Sequence, residues 1–274
     1  MQNECILEFD NSYCEIYHNG RQDEFINDCT ALIKVFKERL RRKPLEMNLI
    51  SRGRNGLEFK QLEVKRTNLD IDLFYEDDFK EVNDIICKRL NRSKDKGIIL
   101  LHGLPGTGKT TYLRYLIGKI KKRVLFVSPS LAGDITNPDF IQLLVSNPNS
   151  VLIIEDAENV IMDRKLNNNA SVSNLLNISD GLLADFLNVQ LICTFNSPVA
   201  MVDDALMRKG RLIAKYEFGK LGIEKANRLS KHLGFDKDIT KPMTLAEIAH
   251  PHEKENQKEN VEVFGFRRQQ EMMN

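Results

Sequence analysis

Apolar residues between positions 67 and 220 fall into short continuous runs, separated by stretches in which they recur every three or four positions. The continuous runs predict strands, and these are GIILLHG, RVLFVSP, VLIIED, VQLICTFN and LIAKYEF. The intervening stretches predict amphipathic helices, for example around Leu113, Leu116 and Ile117. Apolar strands that alternate with helices indicate an α/β fold with a five-stranded parallel sheet and helices on both faces. Such sheets bind ligands at the carboxyl ends of their strands.

The segments on either side of this region follow different patterns. Residues 1–66 contain two short strand candidates, an amphipathic helix that ends before Pro44, and a hairpin expected in MNLISRGRNGLEFKQLEVKR. They predict a small N-terminal α/β domain, and the sequence does not indicate its role. Residues 221–274 predict short helices, expected to form a C-terminal lid, and a charged tail. The predicted domains are therefore 1–66, 67–220 and 221–274.

The charge and cysteine content argues against several classes of protein. With 40 basic and 39 acidic residues the net charge is +1, so no strong field attracts nucleic acid or an anionic membrane. Five widely spaced cysteines without a C-x-x-C pair argue against a zinc cluster or a disulfide framework and favour a reducing compartment. The sequence contains neither a signal peptide nor an apolar run of about 18 residues, so we expect no membrane span and a cytoplasmic location.

The most specific motif is GLPGTGKTT at residues 103–111, which matches G-x-x-x-x-G-K-S/T between a predicted strand and a predicted helix. Glycines there let backbone N–H groups surround phosphates, and the helix N-terminus adds positive potential. Lys109 is expected to neutralise the β- and γ-phosphates of a nucleoside triphosphate, and the Thr110 hydroxyl to bind Mg²⁺. The predicted phosphate-binding residues are Gly103, Leu104, Pro105, Gly106, Thr107, Gly108, Lys109, Thr110 and Thr111.

Three later segments place further polar residues near this loop. Glu155 and Asp156 follow the apolar run VLII, where they can face the phosphates, and Asn196 ends the next strand at the same edge of the sheet. Arg208 and Arg211 lie at the end of a predicted helix, where a cationic C-terminus with only a structural role is the alternative. These segments narrow a set of candidates that includes small-molecule kinases, GTPases, recombinases and mechanical ATPases.

In this order, over about residues 67–230, the segments resemble the AAA branch of the AAA+ ATPases. DDALMRKGR is similar to the second region of homology of that family. LLNISDG and the Glu-Asp order of the acidic pair are similar to the branch that contains the mitochondrial inner-membrane translocase of the Rieske iron–sulfur protein. No resemblance covers residues 1–66.

The resemblance implies a role for each of these residues. It implies a Walker A motif at 103–110, a Walker B motif at Glu155 and Asp156 and a sensor 1 residue at Asn196. It also implies that Arg208 and Arg211 reach the nucleotide of a neighbouring subunit. ATP and Mg²⁺ are the implied ligands, with Mg²⁺ held by Thr110, Glu155 and Asp156. A homo-oligomer, most often a ring of six, is the implied assembly.

The acidic pair is inverted, since most Walker B strands end in Asp-Glu and this one ends in Glu155-Asp156. The longer Glu155 can still reach Mg²⁺, and Asp156 can act as the principal base on the attacking water from about 1.3 Å further back. Glu158 could help if the chain turns back towards the site. We expect slow hydrolysis, and a switch that binds ATP without turnover is the alternative.

The partner on which ATP turnover acts is not specified by a motif. Family members that thread proteins usually have an aromatic residue in the loop after the second strand, but here that position reads Leu131-Ala132-Gly133, and Phe140 is expected in the next helix. Three functions are therefore considered, in order: a ring that remodels or translocates an unknown protein client, a nucleic-acid-associated loader, and a nucleotide-dependent assembly switch. A small-molecule kinase is a weaker fourth candidate.

The adenine base is expected between the segment DLFYEDDF, at 72–79, and the C-terminal helices. Phe74 and Tyr75 could stack on the base, although either could instead belong to the hydrophobic core. No sensor 2 arginine can be assigned in the predicted lid.

Overall fold

The chain folds into two separate units, Met1–Pro44 and Leu45–Asn274. The structure is a computed structural model that describes residues 5–10, 13–36, 45–54, 56–162, 171–235 and 238–251. In the first unit, β1 (Ile6–Phe9) and β2 (Cys14–Tyr17) form an antiparallel pair that precedes α1 (Asp23–Phe36). The two predicted strands and the predicted amphipathic helix are therefore present.

The second unit is built on one seven-stranded sheet with the order β4-β3-β6-β7-β8-β5-β9. Its strands are β3 (Leu45–Gly53), β4 (Gly56–Val64), β5 (Gly97–Gly103), β6 (Val124–Val127), β7 (Val151–Ile154), β8 (Gln190–Phe195) and β9 (Leu212–Phe218). The five strands predicted from apolar runs, β5 to β9, are contiguous and all parallel. The predicted parallel core is thus confirmed, but within the described residues the sheet has seven strands rather than five.

The two additional strands come from the hairpin that was predicted in the N-terminal domain. Strand β3 pairs in parallel with β6 through Asn48 and Leu49, and Ile50 is buried in the core of the second unit. The boundary between the units therefore lies at Pro44 rather than at residue 66. The alternating pattern predicted the hairpin correctly, but it could not show which strand would pair with the free edge of β3, because that partner lies about 75 residues away in the sequence.

Helices cover both faces of the sheet, as predicted. They are α2 (Ile71–Phe74), α3 (Phe79–Leu90), α4 (Lys109–Ile117), α5 (Pro129–Ala132), α6 (Pro138–Val145), α7 (Glu158–Ile161), α8 (Ser171–Ser179) and α9 (Leu182–Leu187), with 3₁₀ helices at Val199–Met201 and Asp204–Met207. Because side chains alternate along a strand, Ile98 and Leu100 of β5 pack with α6 and α8, whereas Ile99 and Leu101 pack with α3 and α4. No helix in the described residues is both long enough and apolar enough to cross a membrane.

The described part of the predicted lid consists of α10 (Ile223–His232) and α11 (Leu245–Ala249). The two helices share a small hydrophobic cluster that includes Leu229 and Ile248, with Leu73 and Phe74 of α2 packed against it. Residues 252–274, which were assigned to the same domain and its charged tail, lie outside the described residues.

Candidate nucleotide-binding site

The predicted phosphate loop connects the carboxyl end of β5 to the N-terminus of α4. Three of its glycines, Gly103, Gly106 and Gly108, have positive φ angles of 137°, 79° and 93°. L-amino acids with a Cβ rarely adopt these values, so the glycines allow the path of the loop. The side chain of Thr107 is buried, and its hydroxyl donates to the Leu104 carbonyl at 2.7 Å, which fixes the loop from inside.

Gly103→Ala is expected to lower the free energy of unfolding by about 3 kcal/mol, because both space and backbone conformation oppose a side chain there. A Cβ on Gly103 would lie 2.1 Å from the Phe218 carbonyl oxygen in the neighbouring strand β9. Urea unfolding measures the effect, and Gly219→Ala is the matched control. Gly219 has open space around its Cβ position and no positive φ, so we expect a change within about 0.5 kcal/mol. Equal stability of the two variants would contradict this account of the loop.

The side chain of Lys109, the lysine of the motif, folds back against the backbone of the loop. Its Nζ donates to the carbonyl oxygens of Gly103 and Leu104, at 2.7 and 2.9 Å. Burial lowers the pKa of the ammonium group, and the nearby carboxylates of Asp156 and Glu158 oppose that shift. A bound phosphate can replace the two carbonyl contacts, so the structure places the lysine where an anion in the loop would meet it.

Thr110 and Glu155, predicted from separate segments, meet in the structure. Thr110 lies in the first turn of α4, Glu155 follows β7, and the Thr110 hydroxyl donates to Glu155 Oε1 at 2.8 Å. Hydroxyl and carboxylate oxygens are the ligands that Mg²⁺ prefers. The residues present therefore fit a magnesium ion bound between the phosphate loop and the end of β7.

The chain reverses its direction directly after Glu155. Asp156 is exposed and has a φ of 51°, the left-handed conformation that aspartate tolerates better than most residues. Ala157 is buried, and its N–H donates to the Thr194 carbonyl of β8 at 2.9 Å. The turn brings Glu158 back towards the sheet edge, where its Oε1 accepts a hydrogen bond from the backbone N–H of Asn196 at 2.6 Å. The chain thus turns back towards the site at Glu158, which was the condition for this residue to contribute.

The two arginines have different environments. Arg208 is exposed and follows the 3₁₀ helix Asp204–Met207. The side chain of Arg211 is held within its own chain, because Nε donates to Asp180 Oδ2 at 2.5 Å and Nη1 to the Ala205 carbonyl at 2.9 Å. The contact of both arginines with a neighbouring subunit stays a prediction. The two differ in that Arg211 is bonded within its own chain, whereas Arg208 is exposed.

Tyr75 is a core residue rather than an exposed surface on which adenine could stack. It is 3% exposed and lies in an aromatic cluster with Phe79, Tyr112 and Phe218. Its hydroxyl donates to the Gly108 carbonyl at 3.0 Å. Tyr75 therefore belongs to the hydrophobic core, the alternative to adenine stacking considered above, and its hydroxyl supports the phosphate loop at Gly108.

A contact that the sequence did not indicate joins the C-terminal helices to the phosphate loop. The N–H of Ala246, in α11, donates to the Gly106 carbonyl at 3.0 Å. Thr244 and Glu247 form a capping box at the start of the same helix. Only the capping residues leave a signal in the sequence, T-x-x-E, and that signal marks a helix start without showing where the helix packs.

Comparisons with known proteins agree with this geometry. Residues 99–220 match the family described as ATPase family associated with various cellular activities (AAA). An AAA-ATPase of Arabidopsis thaliana is 29% identical over 162 residues, which make up 54% of this chain and 32% of that protein.

Two further relatives are named as mitochondrial chaperones. "Probable mitochondrial chaperone bcs1" of Schizosaccharomyces pombe is 30% identical over 138 residues, 47% of this chain and 30% of that protein. "Probable mitochondrial chaperone BCS1-A" of Dictyostelium discoideum is 27% identical over 167 residues, 56% of this chain and 39% of that protein. The chain thus spans about a third of the length of these curated relatives.

The family match begins inside β5, ends just after β9 and includes the loop, the acidic pair, Asn196 and both arginines. The resemblance predicted from the order of the motifs is therefore confirmed, including similarity to chaperones of the bcs1 type. Residues 99–220 of this chain are a domain of the AAA family of ATPases.

Proposed function

We propose that the chain hydrolyses ATP as a homo-oligomeric ring that remodels or translocates a protein client. The observation that carries the proposal is the contact between Thr110 and Glu155, at 2.8 Å. It joins the phosphate loop to the acidic end of β7, and two oxygen ligands for Mg²⁺ lie side by side. A loop that bound phosphate only as a structural anion would not need that pairing.

Each residue has a separate part in the proposed reaction. Lys109 and the loop N–H groups bind the phosphates, and Thr110 with Glu155 holds Mg²⁺, which neutralises charge on the β- and γ-oxygens when bound. Asp156, exposed at the end of β7, accepts the proton of the attacking water. Asn196 orients that water or contacts the γ-phosphate.

A neighbouring subunit supplies the last group of the proposed site. In this proposal Arg208 reaches the nucleotide of the adjacent copy and stabilises the charge that develops during phosphoryl transfer. The exposure of Arg208 is compatible with this role, because the side chain is available to a second chain. Full activity then requires oligomerisation, and a ring is the closed assembly that repeats such a head-to-tail contact.

The proposed client is a protein, but the ring is not expected to grip it with an aromatic loop. Ala132 is buried, and Phe140 is 1% exposed in the core between α6 and the sheet. Neither residue is available to line a channel. Two of the relatives are named as mitochondrial chaperones, which favours a protein client over nucleic acid. Movement of domains during the ATP cycle, rather than threading, is the proposed way of acting on it.

The experiment that tests the proposal measures phosphate release from ATP by the purified chain, with and without Mg²⁺, over an about hundredfold range of protein concentration. We expect Mg²⁺-dependent turnover, with a rate per subunit that rises with concentration as the ring assembles. Sedimentation under the same conditions measures the assembly directly.

Three other outcomes would change the proposal. Tight ATP binding without turnover at any concentration would favour the assembly switch. A rate per subunit that is independent of concentration would remove the contribution of a neighbouring arginine. Strong, salt-dependent DNA binding that stimulates turnover would favour the nucleic-acid-associated loader.

A further inference from the structure

A third carboxylate, Glu158, lies at the same edge of the sheet as the acidic pair. It is the first residue of α7, it is half-buried, and its Oε1 accepts from the backbone N–H of Asn196 at 2.6 Å. The negative charge of Glu158 also opposes the lowering of the pKa of Lys109, so the two side chains are close enough to interact. Glu158 is therefore near the phosphate loop although it belongs to neither the Walker A nor the Walker B motif.

The bond to Asn196 is accompanied by a second bond between the turn after β7 and the end of β8. This second bond joins the Ala157 N–H to the Thr194 carbonyl at 2.9 Å. The two bonds run in opposite directions, one donated by each segment, and they start where the regular pairing of β7 with β8 ends at Ile154 and Cys193. The turn that contains Asp156 and the segment that contains Asn196 are thus held together beyond the last paired residues of β7 and β8.

We propose that Glu158 is a positioning residue, which fixes the backbone at Asn196 and thereby places the sensor side chain relative to the base Asp156. The proposal rests on the proposed function, in which both groups face the γ-phosphate. Asn196 is exposed and follows directly after the last residue of β8, outside any named helix or strand, so its backbone is not held by the regular pairing of the sheet. Since a misplacement of about 1 Å in such a group can lower a rate about a hundredfold, the Glu158 bond has a measurable kinetic consequence.

This role needs a hydrogen-bond acceptor of the right length rather than a negative charge. Glu158→Gln keeps an amide oxygen at nearly the same position, and Glu158→Ala removes the acceptor. We expect Glu158→Ala to lower kcat about tenfold with an unchanged Kd for ATP, because Asn196 acts in the transition state rather than in ground-state binding. Glu158→Gln is expected to retain kcat within about threefold.

Hydrogen exchange provides a second measurement that does not depend on turnover. In Glu158→Ala the amide of Asn196, followed by NMR or by mass spectrometry of a peptide spanning 193–198, is expected to exchange at least about tenfold faster. In Glu158→Gln the exchange rate is expected to stay near that of the unchanged chain. Glu224→Ala is the matched control, because Glu224 is an exposed glutamate in the first turn of α10. It is expected to change neither kcat nor exchange.

The outcomes separate this inference from the proposed function. Unchanged exchange at Asn196 in Glu158→Ala would overturn the inference, and so would a Glu158→Gln variant as impaired as Glu158→Ala, since the charge and not the bond would then matter. A Kd for ATP that weakens as much as kcat/KM would also overturn it. If the unchanged chain does not hydrolyse ATP while exchange at Asn196 responds as expected, the proposed function fails and the positioning contact stands.

Discussion

Asp156→Asn is expected to bind ATP as the unchanged chain does, while phosphate release at saturating ATP falls about 10²- to 10⁴-fold. The two carboxylates of the acidic pair are not equivalent in the structure. Glu155 accepts a hydrogen bond from Thr110 and so lies on the side of the proposed Mg²⁺ site. Asp156 is exposed beyond the end of the buried strand β7, and in the proposed reaction it is the carboxylate that meets the attacking water. The asparagine is nearly isosteric but cannot accept the proton.

Isothermal titration with ATP and a phosphate-release assay separate the two effects in the same preparation. Asp185→Asn is the control. Asp185 is exposed in α9 and forms an ion pair with Lys96, which directly precedes β5. This pair lies at the amino ends of the strands, whereas the candidate site lies at their carboxyl ends. It is expected to retain turnover within about twofold. An Asp156→Asn variant with full turnover would show that another group is the base and that the inverted pair does not work as proposed.

Arg208→Ala is expected to lower turnover about 10³-fold without weakening ATP binding to the isolated subunit, because in the proposed ring this side chain acts on the neighbouring nucleotide.

Arg211→Ala is expected to behave differently. Its side chain bridges Asp180 and the Ala205 carbonyl, so its removal leaves an unpaired carboxylate and carbonyl within the same chain. We expect Arg211→Ala to reduce thermal stability as well as activity, whereas Arg208→Ala reduces activity alone.

Mixing two inactive variants tests the contribution in trans. An Arg208→Ala subunit has an intact ATP site, and an Asp156→Asn subunit has an intact arginine. In a random equimolar ring about a quarter of the interfaces combine the intact site of one with the intact arginine of the other, so about a quarter of the original activity should return. No recovery in rings shown to be mixed, by co-purification of one variant with an affinity-tagged copy of the other, would contradict the role of Arg208 in trans.

The motifs and the parallel core could be predicted from the sequence because both depend on local patterns. GIILLHG coincides with β5, whose residues are all buried, as expected for a central strand covered on both faces. LIAKYEF coincides with β9, an edge strand that is only partly buried. The phosphate loop was recognisable because its glycines, its lysine and its threonine are adjacent in the chain. The hairpin strands β3 and β4 were predicted in the N-terminal domain but belong to the second unit, because hairpin patterning is local whereas the pairing of β3 with β6 is not.

The sequence by itself thus determined the fold class, the family of the domain and the residues of the predicted phosphate loop. Only the tertiary structure decided which of these residues meet, because contacts between distant segments leave no periodic signal. It joined Thr110 to Glu155, tied Glu158 to Asn196, held Arg211 with Asp180 and set α11 against Gly106. The physical reason is that the parallel sheet brings the carboxyl ends of its strands to one edge, where loops far apart in the chain become neighbours.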